Sequence, residues 1–262
     1  MKHNSIFKII AALSVNCLLS VSVTHAQSVL HIASDDWCPY ICAQNGHLTS
    51  GYLVDVATQA MLISGYQVES ALIPLTRAMH EASTGSIQGV YAPPIDDRLR
   101  LSIPIAYSRA CFYTLAEQTW RYQGIASLHN VVVGIVGEYG YDDNLMDAYV
   151  IKNQHKHLLI DTSFGENAGL SNLKKLLAAR FPVMLEHEAV MTMLAKNLGA
   201  EYKIRQAGCL EHALPLPIGF TKMDSHNEDW IRALTLGIQQ LEASGKLAEL
   251  RQHYHIPEIN TK

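Results

Sequence analysis

From residue 28 onward the apolar pattern switches repeatedly between a period of two and a period of 3.6, which restricts the chain to strands covered by helices. Val29 to Ala33 reads as a strand. Tyr52 to Ser64 reads as a helix, because Leu53, Val56, Ala57, Ala60 and Met61 share one face and Gly65 follows as a stop. Tyr66 to Ile73 predicts a second strand, Pro74 opens a helix that runs to Ser83, and Ile87 to Ala92 predicts a third strand. This βαβαβ order implies a parallel sheet with right-handed crossovers.

The pattern then breaks at Pro93-Pro94 and the charged stretch Asp96-Asp97-Arg98-Leu99-Arg100, and an extended segment follows from Ile103 to Ala116. A second series opens with Val131 to Ile135, an unbroken apolar run of the kind found in buried parallel strands. Helices are expected near Asp142 to Lys152, Gly169 to Ala179 and Ala189 to Leu198, alternating with strands at Leu158 to Asp161, Val183 to Leu185 and Tyr202 to Gln206. Leu214 to Thr221 is extended again. The tail is helical: Trp230, Ile231, Leu234, Ile238 and Leu241 share a face, and after Gly245 so do Leu247, Leu250 and Tyr254. Two αβ series joined by a long extended segment, with a second crossing back, predict two lobes, a hinge and a cleft between them.

Length and charge narrow the function. The first 26 residues read as a cleavable secretory signal: Lys2 and Lys8, a mainly apolar run from Ile9 to Val23, then Thr24-His25-Ala26. An uncleaved anchor is the alternative. With that segment removed, the 20 Lys and Arg fall to 18 against 24 acidic residues, a net charge of −6. Such a balance disfavours nucleic acid or an anionic membrane surface as partner. Four cysteines remain in the mature chain, Cys38, Cys42, Cys111 and Cys209, and an exported chain places them where disulfides form. The C-x3-C pair suits a local bridge, with soft-metal binding as its rival, and Cys111 and Cys209 either pair or stay buried. The histidines are scattered with no metal-binding spacing, so neither a metal nor another cofactor is expected.

Several local motifs carry a likeness. Asp35-Asp36-Trp37-Cys38-Pro39-Tyr40 follows the first strand, Gly51-Tyr52-Leu53-Val54-Asp55 starts a helix, and Pro74-Leu75-Thr76-Arg77-Ala78 is similar to a P-W-x-R-A helix opening. Asp97-Arg98 precedes Ile103-Pro104-Ile105-Ala106-Tyr107, and Leu128 to Gly137 starts the second series. In order and spacing the mature chain resembles the bacterial extracellular solute-binding proteins of the polar amino-acid transporter type (family 3), which have a type II periplasmic-binding fold. The resemblance implies a first lobe from residues 27–112, a second from 113–217, and a return to the first from 218–262.

It also implies a ligand site. Arg98 stands where the family grips a carboxylate with a fork of donors, although a surface Arg paired with Asp96 or Asp97 is the plainer alternative. Trp37, with Tyr40 in the same loop, stands where an aromatic would stack on the ligand; a core Trp beside a loop disulfide is the alternative. Tyr91 ends the third strand and is expected to point to the cleft. Arg77, in the first turn of its helix, faces either the cleft or a solvated flank. In the second lobe the Gly137-Glu138-Tyr139-Gly140-Tyr141 turn suits an anion, with Tyr141 as its preferred side chain. The family's ammonium-binding Asp falls by spacing on His187, next to Glu186, so an ordinary α-amino acid needs Glu186 or Glu188 to substitute. Leu75, commonly Trp in this branch, suggests a less aromatic wall.

These residues predict a non-enzymatic, monomeric periplasmic protein that closes by hinge on a small polar solute, amino-acid-like or carboxylate-bearing, and passes it to a membrane permease for ABC-type uptake. A sensing subunit for a membrane receptor shares the same binding chemistry. A cleft enzyme built on Glu138, Glu186 and Glu188 is the remaining alternative, and no catalytic signature accompanies those carboxylates.

Overall fold

The computed structural model describes residues 28–258 apart from Asp96, Glu138 and Glu166. The signal sequence, and the side chains of Asp96 and Glu138 considered above, lie outside the described residues.

The first lobe opens with β1 (Ser28–Ser34), a hairpin of β2 (Cys42–Gln44) and β3 (His47–Ser50), and α1 (Tyr52–Ile63). It continues with β4 (Tyr66–Leu72), α2 (Leu75–Ser83), β5 (Gly89–Tyr91) and β6 (Leu99–Leu101). β1 pairs in parallel with β4 on one side and β5 on the other, as two successive right-handed crossovers require. Pro74 takes the N-cap position of α2 rather than its first turn, so the helix starts one residue after the expected position. The β2–β3 hairpin was not anticipated. Asn45 and Gly46 both have positive φ, at 52° and 78°, and an Asn-Gly pair favours a tight hairpin turn of that kind.

The expected extended segment from Ile103 to Ala116 divides. β7 (Ala106–Ser108) pairs with β13 (Leu214–Leu216) in a two-stranded antiparallel ribbon, whereas β8 (Ala110–Leu115) enters a second sheet. Between them lie β9 (Val133–Val136), α3 (Leu145–Asn153), β10 (Ile160–Ser163), α4 (Ala168–Leu177), β11 (Val183–His187), α5 (Glu188–Leu198) and β12 (Ile204–Cys209). The second sheet has the order β10-β9-β11-β8-β12. α3 starts three residues later than its apolar pattern suggests, because the Asp147 carboxylate accepts the backbone N–H groups of Tyr141 and Asp143 and holds a turn there.

After the ribbon, β14 (Ile218–Thr221) returns to the first sheet, whose order is β4-β1-β5-β14-β6, and α6 (Asn227–Ala243) and α7 (Lys246–His253) cover it. α6 lies against α1 so closely that a Cβ at Gly237 would fall onto the Ala60 backbone. Each lobe has its own apolar core, and Ala189 and Val190 at the start of α5 pack into the core of the first lobe, so the lobes are apposed. Disulfides join Cys38 to Cys42 and Cys111 to Cys209; the latter residues are cross-strand partners on β8 and β12. In this form no thiolate is available at the C-x3-C loop for the metal-binding alternative.

Candidate ligand cleft between the lobes

The parallel strands of both sheets end toward the same gap, the position where open α/β sheets place their ligand sites. β1 ends at Ser34 and runs into a loop pinned at Trp37: its N–H donates to the Ile41 carbonyl at 2.7 Å, while the N–H groups of Tyr40 and Ile41 donate to the Trp37 carbonyl at 3.0 and 3.1 Å. The Cys38–Cys42 bridge closes that loop, and the Cys38–Pro39 peptide is cis. Trp37 is thereby held half-buried at the cleft. Its ring meets two side chains of the second lobe edge-on, His187 at 5.0 Å and Tyr139 at 5.9 Å. Its indole nitrogen is buried and has no hydrogen-bond partner.

His187 ends β11 and is 1% exposed. Its Nε2 lies 3.0 Å from the Gly140 carbonyl, which can only accept, so Nε2 carries the hydrogen. Nδ1 then accepts from the Ser108 hydroxyl at 2.8 Å. The Tyr40 hydroxyl lies near Ser108, and burial pushes it well above its ordinary value. Burial pulls the imidazole down to about 4, and His187 is neutral at neutral pH. A neutral ring that spends both nitrogens on protein partners is no counter-ion for an ammonium group.

The adjacent Glu186 faces the other way, as strand alternation dictates. Its Oε1 accepts the His187 N–H at 2.7 Å, and its Oε2 lies beneath Gly169 of α4 without a partner. Complete burial raises its carboxyl to about 8, so it is protonated at neutral pH.

The cleft holds a cavity of about 90 Å³. Ser34, Asp35 and Trp37 line it from the first lobe, and Tyr139, Gly140, Asp143 and His187 from the second. Ala92 to Ile95 and the β13 ribbon supply apolar walls, together with Leu75 at the start of α2. The N–H of Ala92 donates to the Pro217 carbonyl at 2.9 Å, which anchors the Pro93-Pro94 stretch to the returning crossover. No Lys or Arg is among the described residues that line the cavity.

Of the residues expected from sequence, Trp37 and His187 line this cavity. Tyr40 is fully buried against Trp37, with ring centroids 4.7 Å apart, and does not line the cavity. Tyr91 is also fully buried; its hydroxyl bonds Ser70 at 2.7 Å, because alternation along β5 turns it into the core. Tyr141 stacks on His187 and exchanges hydrogen bonds with the Val136 backbone. Glu186 points into α4, as described. Arg77 is exposed on α2 and Arg98 is exposed in the turn before β6; neither lines the cavity. Ser108, Asp35 and Asp143 carry no motif that marks them for the cleft, and Tyr139 rather than the expected Tyr141 lines it. For the tyrosines the parity of the turn was the available signal, since residues two apart share a side only when the chain stays extended.

Two α/β lobes, two crossing strands between them and a cleft at the strand ends define the type II periplasmic-binding-protein fold. Searches against known proteins agree. A histidine kinase sensor domain with similarity to periplasmic binding proteins superposes with a TM-score of 0.69 at 12% identity, covering 88% of this chain and 97% of that one. A Streptococcus mutans structure from work on glutathione import through a cystine ABC importer gives 0.68 at 14% identity, covering 87% and 95%. An ancestral amino-acid-binding protein, a precursor of cyclohexadienyl dehydratase, gives 0.65 at 14% identity, covering 87% and 95%. No family model and no curated protein sequence matches the chain.

Proposed function

We propose that this chain is an exported, monomeric solute-binding protein: its two lobes close on a small polar solute, which it passes to a membrane permease. The observation that carries this reading is the cleft itself, walled by both lobes and backed by the β7–β13 ribbon, the natural axis for lobe movement. Binding of one solute by both walls favours the closed arrangement in proportion to the extra contacts it makes there. The neighbours whose names speak of amino-acid binding and glutathione import support a polar solute. The sensor-domain likeness favours a second reading, in which the same closure signals to a membrane receptor.

The site also supports binding without catalysis. Of the carboxylates weighed as an acid–base pair, Glu186 is turned away from the cleft and held protonated. The test is a thermal-shift screen of the mature protein against amines, amino acids, small carboxylates and sugars, followed by small-angle scattering. A bound solute present at about 100 times its Kd adds roughly 2.7 kcal/mol of stability. It should also shrink the radius of gyration as the lobes close. Stabilisation with no compaction would count against hinge closure, and no stabilisation by any class would count against the reading as a whole.

A further inference from the structure

The lining of the cleft constrains the solute further, on the reading that the cleft is a solute site. Asp143 and Asp35 line the cavity from opposite lobes, together with the rings of Trp37 and Tyr139, and the described lining residues include no Lys, no Arg and no charged His. The acidic turn before α3 is not uniformly satisfied. Asp147 accepts the N–H groups of Tyr141, Asp142 and Asp143, and Asp142 accepts those of Asn144, Met146 and Asp147. The Asp143 carboxylate has no such partner among the described residues. Its partial burial and its neighbours Asp147 and Asp142 hold its carboxyl above the ordinary value, so a cation placed there would relieve a charge the protein leaves uncompensated.

A carboxylate-bearing ligand fares differently. A desolvated carboxylate requires a cation or several converging donors. Among the described lining residues, the one buried side-chain donor left without a partner is the Trp37 indole N–H, which suits a single neutral acceptor such as a hydroxyl or carbonyl oxygen. Aromatic faces beside carboxylates and an apolar wall are instead the surroundings in which an organic cation is well held.

We propose that the cleft binds an organic cation, an amine or guanidinium on an apolar or aromatic body, with Asp143 as its principal counter-ion, and that it discriminates against the same molecule carrying a carboxylate.

The experiment is calorimetric titration of the mature protein with matched pairs: agmatine against arginine, cadaverine against lysine, tyramine against tyrosine. The decarboxylated member of at least one pair should bind more tightly by about tenfold or more. Asp143→Asn should weaken that amine by a similar factor; Asn tolerates the left-handed backbone at this position (φ 52°), so the turn should survive. An amino acid that binds as tightly as its amine, or a neutral or anionic solute whose binding is lost in Trp37→Ala, would overturn this inference while leaving the solute-binding reading intact. Absence of binding by every amine, amino acid and sugar offered would overturn both.

Discussion

Ser108, the last residue of the first crossover strand, donates its hydroxyl to Nδ1 of His187, the last residue of β11, across 2.8 Å. With the Gly140 carbonyl beyond His187, one line of hydrogen bonds runs from the crossover strand to the turn that carries Tyr139 and Asp143. Ser108 is fully buried, so the line is shielded from competing water. Ser108→Ala should therefore leave Nδ1 of His187 unsatisfied and cost about 1–3 kcal/mol in urea denaturation. A loss below about 0.5 kcal/mol would show that the line contributes little.

The pair Glu186 and His187 makes stability depend on pH with opposite signs. Glu186 is raised to about 8 from 4.5, so its contribution is complete below 4.5 and is lost as pH rises toward 8, where the unfolded chain releases the proton first. His187 is lowered to about 4 from 6.5, so its contribution is complete above 6.5 and is lost as pH falls toward 4. Each slope is on the order of 1.4 kcal/mol per pH unit. Between 4.5 and 6.5 the two slopes oppose each other, leaving a plateau from this pair. Unfolding free energies measured by denaturant at several pH values should show Glu186→Gln removing part of the alkaline decline and His187→Gln part of the acid one. Parallel curves for variant and wild type would refute the assignment.

Trp37 touches His187 and Tyr139 across the gap, so its environment should report on solute binding. Titration with the tightest amine should change the intrinsic fluorescence of the wild type, and Trp37→Phe should abolish most of that change. Trp120 and Trp230 sit in the separate lobe cores and should contribute little. A signal that survives in Trp37→Phe would place the binding event elsewhere.

The two disulfides should differ in what they contribute. Cys111–Cys209 spans 98 residues and Cys38–Cys42 spans 4. Loop-closure entropy then assigns roughly 4–5 kcal/mol to the long bridge and about 2 kcal/mol to the short one. Paired Cys→Ala variants compared by thermal and denaturant unfolding should preserve that order. The short bridge should matter more to ligand affinity, because it closes the loop that presents Trp37. The reverse pattern would mean that the Trp37 loop is held by its backbone hydrogen bonds alone.

Much of the architecture was legible in the chain itself. Leu53, Val56, Ala57, Ala60 and Met61 encode the buried face of α1, and the Val133–Val136 run encodes a strand covered on both sides, because apolar periodicity is a local property. The two βαβ series, the break after Tyr91 and the return through Leu214 to Thr221 follow from it, and so does the cleft between the lobes. The Asn45-Gly46 hairpin was also written there, in a signal the periodic reading overlooked.

Other features required the folded chain. Nothing local in Ile103 to Ala116 says that β7 joins the crossover ribbon while β8 joins the second sheet, since partners around a hundred residues away make that choice. The same is true of the Cys111–Cys209 bridge, which depends on β8 and β12 coming into register. Composition alone made Tyr91, Tyr141, Glu186 and Arg98 as eligible for the cleft as Trp37 and His187. Strand parity, burial and turn geometry separated them, and the neutral state of His187 follows from its two fixed hydrogen-bond partners. Sequence determines which faces must leave water; only tertiary structure decides what each face meets, and with it the charge and direction of every group at the site.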